Sequence, residues 1–162
     1  MKLKIFTTGG TIDKIYFDDL SRYEVGPPQI GEILKEARVS FDYEIEEIAR
    51  KDSLYLTDGD RTSLRDRILA DPASRLVLIT HGSDTMVETA RFLQGITDRV
   101  VVLTGALSPA RFKKSDAAFN VGSAIGALQV LQPGIYIAMG GRVYPADKVR
   151  KNREAGRFEE AT

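Results

Sequence analysis

Apolar residues gather in short runs, at positions 2–7, 43–49, 76–79, 100–103 and 135–138. Each run is rich in β-branched residues and has the length of a strand buried on both faces. Between the runs the apolar period becomes that of a helix. In 29–37, Ile30, Ile33, Leu34 and Ala37 share a face, and in 60–70 so do Leu64, Ile68 and Leu69. Positions 85–93 and 116–131 complete an alternation of strand and helix. Parallel strands need long crossovers, which are usually helical. The pattern therefore predicts an α/β fold: a three-layer, flavodoxin-like or Rossmann-like, mostly parallel sheet with helices on both faces. Open sheets of this kind bind ligands at the carboxyl ends of their strands.

Composition narrows the class. Of 162 residues, 43% are hydrophobic, enough for one compact domain with a sizeable core. Lys plus Arg equal Asp plus Glu at 23 each, so the chain lacks the basic excess that neutralises phosphates, and no nucleic-acid partner is expected. With no cysteine there is no disulfide, thiolate nucleophile or thiolate-bound metal, and a single histidine, His81, leaves little for metal chemistry. Neither a metal nor a cofactor is expected. The start MKLKIFTTGG breaks its apolar run at once and does not read as a signal peptide, and no membrane span is expected. The expected location is the cytoplasm. The boundaries expected are an α/β domain at 1–147 and a charged segment at 148–162, poor in apolar residues apart from Val149 and Phe158. That segment is expected to be an exposed tail or an interface arm that completes the site or an oligomer interface.

Three polar clusters directly follow apolar runs: TTGGTIDK, THGSDT and TGALSP. In the first, paired glycines allow a sharp turn and close approach of backbone amides to a ligand, with the Thr11 hydroxyl presented at the turn. Spacing alone leaves Thr11 open between a nucleophile and a helix cap. The patterns of phosphate-cradling glycine loops are absent, which puts a nucleotide-binding protein last. In the second cluster, Ser83 and Asp84 are either reactive groups or an N-cap whose capping box Glu88 completes. His81, with no orienting partner evident, is expected to brace its loop. The third cluster reads as a connector into a helix capped by Ser115 or Asp116. A hydroxyl nucleophile needs a general base, and with one histidine a lysine is the remaining candidate; Lys151 is one, although lysines in charged segments are usually solvated.

Together these clusters resemble the bacterial-type asparaginase and glutaminase family, whose signatures are a TGGTI turn and an HGTDT segment. Here they read Thr8-Gly9-Gly10-Thr11-Ile12 and His81-Gly82-Ser83-Asp84-Thr85, and MVETARFL, VVLTGA and SDAAFN extend the likeness from about Lys2 to about Lys151. The resemblance implies that Thr11 attacks a side-chain amide, giving an acyl-enzyme and ammonia. It implies that Ser83, Lys151 and Asp84 form the supporting triad, Ser83 standing where the family has threonine. A tyrosine on the loop after the nucleophile turn is implied as well, Tyr23 or Tyr16. Ser53 is implied as the grip on the substrate's α-carboxylate, beside Asp52, with Asp84 holding its ammonium and Gly10 and Gly82 lining the site. Leu54 occupies the place of a glutamine that many members use to contact substrate. Backbone amides near Thr11 and Ser83 are expected to stabilise the oxyanion.

Typical members carry a second, C-terminal domain that lends an acidic residue to a neighbour's site. The expectation for this chain is a short member acting as a homodimer or higher homo-oligomer, with the neighbour or Glu154, Glu159 or Glu160 supplying the acid. The expected substrate is a small amino-acid amide, L-asparagine, hydrolysed to L-aspartate. The alternatives are an amino-acid-binding or regulatory module with weak or no catalysis, and an amidase subunit that releases ammonia for a partner.

Overall fold

The computed structural model describes residues 1–17 and 22–162. A six-stranded sheet is formed by β1 (Lys2–Gly9), β4 (Asp42–Lys51), β5 (Leu76–Thr80), β6 (Val100–Thr104), β7 (Gly134–Met139) and β8 (Arg142–Pro145). Their order is β4-β1-β5-β6-β7-β8, and all pairs are parallel except β7 with β8. Ranked by appearance in the sheet, the parallel strands run 2-1-3-4-5, the flavodoxin-like order, and the order reverses between β1 and β5.

Alternate residues of each central strand enter opposite cores, as the period of a strand requires. Phe6, Val77, Ile79, Val101 and Leu103 pack with Leu64 and Ile68 of α2 (Asp58–Leu69) and Met86, Val87 and Ala90 of α3 (Met86–Phe92). Leu3, Ile5, Leu78, Val100 and Val102 pack with Ile30 and Leu34 of α1 (Ile30–Glu36) and Val121, Ala124 and Leu128 of α4 (Ala117–Leu128). Each predicted strand and helix is present with ends shifted by a few residues. Two positions assigned to buried helix faces are not buried: Leu69 is 49% exposed and Ala37 is exposed.

The region around 43–49 differs from its reading as a strand buried on both faces. β4 is an edge strand, mostly exposed. Its acidic stripe meets a buried cation: Lys4 on β1, 6% exposed, bonds Glu44 at 2.6 Å and Glu46 at 3.0 Å. The charged segment also differs from an exposed tail. β9 (Val149–Asn152) and β10 (Arg157–Glu160) form an antiparallel hairpin docked on the sheet. Val149 is 0% and Phe158 7% exposed, both within the α2–α3 core. The Tyr144 hydroxyl donates to the Phe158 carbonyl, and Arg91 of α3 reaches the carbonyls of Ala146 and Val149. These two apolar side chains, with the bonds from Tyr144 and Arg91, hold a polar segment on the core.

Candidate functional site

The three polar clusters lie at the carboxyl ends of β1, β5 and β6, and the first two meet at the reversal point of the sheet. Thr8 Oγ1 donates to the Thr80 carbonyl at 3.0 Å, tying the ends of β1 and β5. The chain then turns through Gly9 and Gly10 into a single 3-10 turn, Thr11–Asp13. Gly10 has φ +90 and ψ −174, a region used almost only by glycine. A Cβ on Gly10 would stand 2.4 Å from both Cα and N of Gly82. One on Gly82 would stand 2.7 Å from Cβ and Oγ of Ser53. Gly10, Gly82 and Ser53 are therefore stacked in contact, which brings the Thr11 turn against the Ser83–Asp84 loop.

Thr11 is half-buried, and its hydroxyl makes no hydrogen bond to a described side chain or carbonyl. Among the described residues it does not act as a side-chain cap; the N-cap of its turn is Gly10. Capping is not the role of Ser83 or Asp84 either. The N-cap of α3 is Thr85, without a side-chain cap bond, and Glu88 closes no capping box. The side chains of Ser83 and Asp84 instead face Lys151 on β9. Lys151 Nζ donates to Ser83 Oγ at 2.9 Å and to Asp84 Oδ1 at 2.5 Å. The Lys151 bond holds the Asp84 carboxyl below the usual carboxylate range against the opposing effect of burial, with Arg153 and Lys14 adding to it.

Ser53 is buried at 1% exposure. Its Oγ accepts from the Thr85 amide at 3.3 Å, and its carbonyl accepts from the Thr85 hydroxyl at 2.8 Å. Asp52 accepts from the Leu54 amide and pairs with Lys14 Nζ at 3.3 Å. His81 is fully buried, with Nδ1 on the Gly82 carbonyl at 2.7 Å and Nε2 on Thr89 Oγ1 at 2.8 Å. Burial pushes its pKa down to about 4, so the ring is neutral and braces the loop.

Tyr16 and Tyr23 face each other across the hairpin of β2 (Lys14–Phe17) and β3 (Arg22–Val25), ring centroids 5.3 Å apart. Tyr23 also meets Phe112 edge-on at 5.7 Å. Both are about half exposed, and neither phenol bonds another described residue. The Gly10 amide donates to the Lys51 carbonyl at 2.9 Å and is not free to bind an oxyanion. Two of the three tail acids, Glu159 and Glu160, are engaged elsewhere. Glu159 pairs with Arg150, its partner in the hairpin register, and with Arg157, and Glu160 pairs with Arg142 of β8.

Sequence reasoning passed over Lys14, Arg153 and Thr85, which respectively pair with Asp52, donate to the Asp84 carbonyl and hold Ser53. Only fold-level placement distinguishes them from other surface charges and hydroxyls. Among the described residues no group of three His, Asp or Glu side chains is placed to hold a metal. A cavity of about 690 Å³ lies between α4, β7, β8 and the C-terminal hairpin, but none of Thr11, Ser53, Ser83, Asp84 or Lys151 lines it. The cleft at the ends of β1 and β5 is the better candidate because reactive groups converge there.

A family model described as asparaginase, N-terminal, matches residues 2–158. A probable periplasmic L-asparaginase of Haemophilus influenzae is 31% identical over 159 residues, covering 92% of this chain and 46% of that protein. The thermostable L-asparaginase from Thermococcus kodakarensis superposes with a TM-score of 0.85 at 26% identity, covering 99% of this chain and 51% of that one. A probable cytoplasmic L-asparaginase from Campylobacter jejuni gives 0.79 at 31% identity, covering 93% and 49%. The chain spans less than half the length of the curated relatives it matches.

Proposed function

The chain belongs to the asparaginase family, through that family's N-terminal domain, and from this premise we propose that it hydrolyses the side-chain amide of L-asparagine to L-aspartate and ammonia. The observation that carries the reading is Lys151, which reaches from a C-terminal hairpin to bond both Ser83 and Asp84 beside the Thr11 turn. Its side chain is 14% exposed, drawn out of solvent to make these two bonds.

Thr11 Oγ attacks the amide carbon, and the C–N bond breaks as the nitrogen takes a proton and leaves as ammonia. The Thr11 proton travels to the leaving nitrogen through Tyr23 or Tyr16, or through the Ser83–Lys151 pair. Water, activated at Ser83 by the same lysine, then attacks the acyl carbon. The C–Oγ bond breaks and Thr11 regains its proton. Asp84 Oδ2, which has no bond partner among the described residues, receives the substrate ammonium. The Ser53 hydroxyl proton, with Asp52, Gly10 and Gly82 around it, meets the α-carboxylate. Exclusion of water by the tyrosine hairpin completes the site.

The same proposal includes residues 1–147 as the catalytic unit, the hairpin in 148–162 as the part that closes the site, a cytoplasmic location and assembly into a homo-oligomer. Light scattering on purified protein tests the assembly. Ammonia release from L-asparagine, with L-glutamine and D-asparagine as comparisons, tests the activity. Thr11→Ala is expected to abolish release while circular dichroism stays that of wild type. Wild-type protein that binds L-asparagine without releasing ammonia would establish the binding-module alternative.

A further inference from the structure

The mechanism gives Asp13 no task, yet Asp13 is 1% exposed and sits two residues beyond the nucleophile. Its amide donates to the Gly10 carbonyl at 3.1 Å, and its carbonyl accepts from the Gly26 amide at 2.8 Å. Its Oδ1 accepts from the Gln29 amide at 2.8 Å. Gln29 continues the chain of contacts: Nε2 donates to the Pro27 carbonyl at 2.8 Å, and Oε1 accepts from Arg111 Nε at 3.0 Å. Ala110, beside Arg111, donates its amide to the Ile12 carbonyl at 3.1 Å. Asp13 thus joins the Thr11 turn, the return from the tyrosine hairpin and the start of α1. Its second oxygen, Oδ2, is buried with no partner among the described residues.

Resting on the amidase reading, we propose that Asp13 is a positioning residue whose uncharged side chain fixes the Thr11 turn against the hairpin that carries Tyr16 and Tyr23. A carboxylate buried with one oxygen unbonded is costly, and the neutral acid relieves that cost. Burial pushes the group up to about 7. The charged groups around it do not reverse this. Glu47 on β4 raises it and Arg50 lowers it, and those two pair with each other at 2.9 Å. Lys14, next in the chain, is engaged with Asp52, and Arg111 reaches Asp13 only through Gln29. When Asp13 ionises, the turn must open toward water, and Thr11 moves with it. Ser53 and Asp84 sit on other loops, so loss of Asp13 affects turnover and leaves substrate affinity nearly intact.

The test is kcat and KM for L-asparagine hydrolysis in wild type, Asp13→Asn and Asp13→Ala from about pH 5 to about pH 9. Wild-type kcat is expected to fall on the alkaline side with a midpoint near 7. Asp13→Asn, which mimics the neutral acid, lacks that fall and keeps its acid-side kcat within about threefold. Asp13→Ala loses kcat by on the order of tenfold or more, with KM nearly unchanged. An alkaline fall retained in Asp13→Asn, or wild-type kcat in a folded Asp13→Ala protein, overturns the proposal; if the alanine variant does not fold, Asp13→Asn decides. A wild type that releases no ammonia removes the amidase reading alone. Urea unfolding then decides whether Asp13 is neutral: relative to Asp13→Asn, the wild-type folding constant is expected to fall by on the order of 100-fold between about pH 5 and about pH 8. Parallel stability curves overturn the proposal.

Discussion

Replacing Gly10 with alanine tests whether the site is assembled by backbone contact. Two costs add. Gly10 holds φ +90 and ψ −174, a region where a side chain costs about 1–3 kcal/mol. The new Cβ also stands 2.4 Å from the Gly82 Cα and N. Backbone cannot rotate away as a side-chain tip can, and overpacking of this kind costs about 1–3 kcal/mol. The sum is roughly 2–6 kcal/mol, a large share of the ~5–15 kcal/mol stability of a typical domain. A middle value corresponds to a melting temperature about 10 °C lower for a chain of this size. Urea unfolding and a thermal melt measure both quantities. Gly122→Ala is the control, since a Cβ there meets nothing within 4 Å. At an exposed position inside α4 it is expected to stabilise by about 0.5–1 kcal/mol. If Gly10→Ala lies within about 0.5 kcal/mol of wild type, the close approach of the Thr11 turn to Gly82 is not what holds the site together.

Lys151→Met is expected to lower turnover of L-asparagine by on the order of 100-fold or more with the fold retained, measured by ammonia release and circular dichroism; near-normal turnover would exclude it as the general base. The same variant changes acid stability. A carboxyl depressed in the folded state stabilises above its unfolded pKa, and that stability is lost as pH falls through the folded value, so the acid-side loss due to Asp84 shrinks in Lys151→Met, where only Arg153 and Lys14 still favour the charged form. His81, lowered in the folded state to about 4, has the opposite charge chemistry and the same sense. The unfolded ring gains a proton below about 6.5 while the folded ring resists it, so wild-type stability relative to His81→Gln is expected to drop by about 2 kcal/mol between about pH 7 and about pH 5, measured by urea unfolding.

What could be read in the sequence was whatever is carried by apolar period or local chemistry. The central strands β5, β6 and β7 announce themselves because both faces are buried and nearly every position is apolar, and β1 through its Leu3, Ile5 and Phe6. β4 was read as equally buried because Tyr43, Ile45 and Ile48 supply apolar residues, but Glu44, Glu46 and Glu47 mark an edge whose partners are Lys4, Arg67 and Arg50. The short β2–β3 and β9–β10 hairpins are polar, and their pairing depends on neighbours distant in sequence. Thr11, Ser83 and Asp84 were legible as polar groups directly after strands. Lys151 was one candidate lysine by chemistry and was singled out only by resemblance, since its place depends on Val149 and Phe158 docking 148–162 onto a core whose other members lie far away in the chain.

Two buried titratable groups, Asp13 in the Thr11 turn and His81 in the loop after β5, are both held uncharged by burial, though by opposite shifts. His81 is kept neutral by losing its proton and Asp13 by keeping its own. A charge on either would stand in a low-dielectric interior beneath the turn or the loop, where its field falls off slowly. The charged groups that remain beside the loop are Lys151 and Asp84, with Arg153 and Lys14 acting on Asp84. The consequence concerns pH. Asp13 ionises as pH rises through about 7 and His81 protonates as pH falls toward about 4, so rising pH introduces a buried negative charge in the Thr11 turn and falling pH a buried positive charge in the loop after β5. Their effects on wild-type stability oppose each other across the acid range and partly cancel, which is why each is resolved only against its own neutral variant.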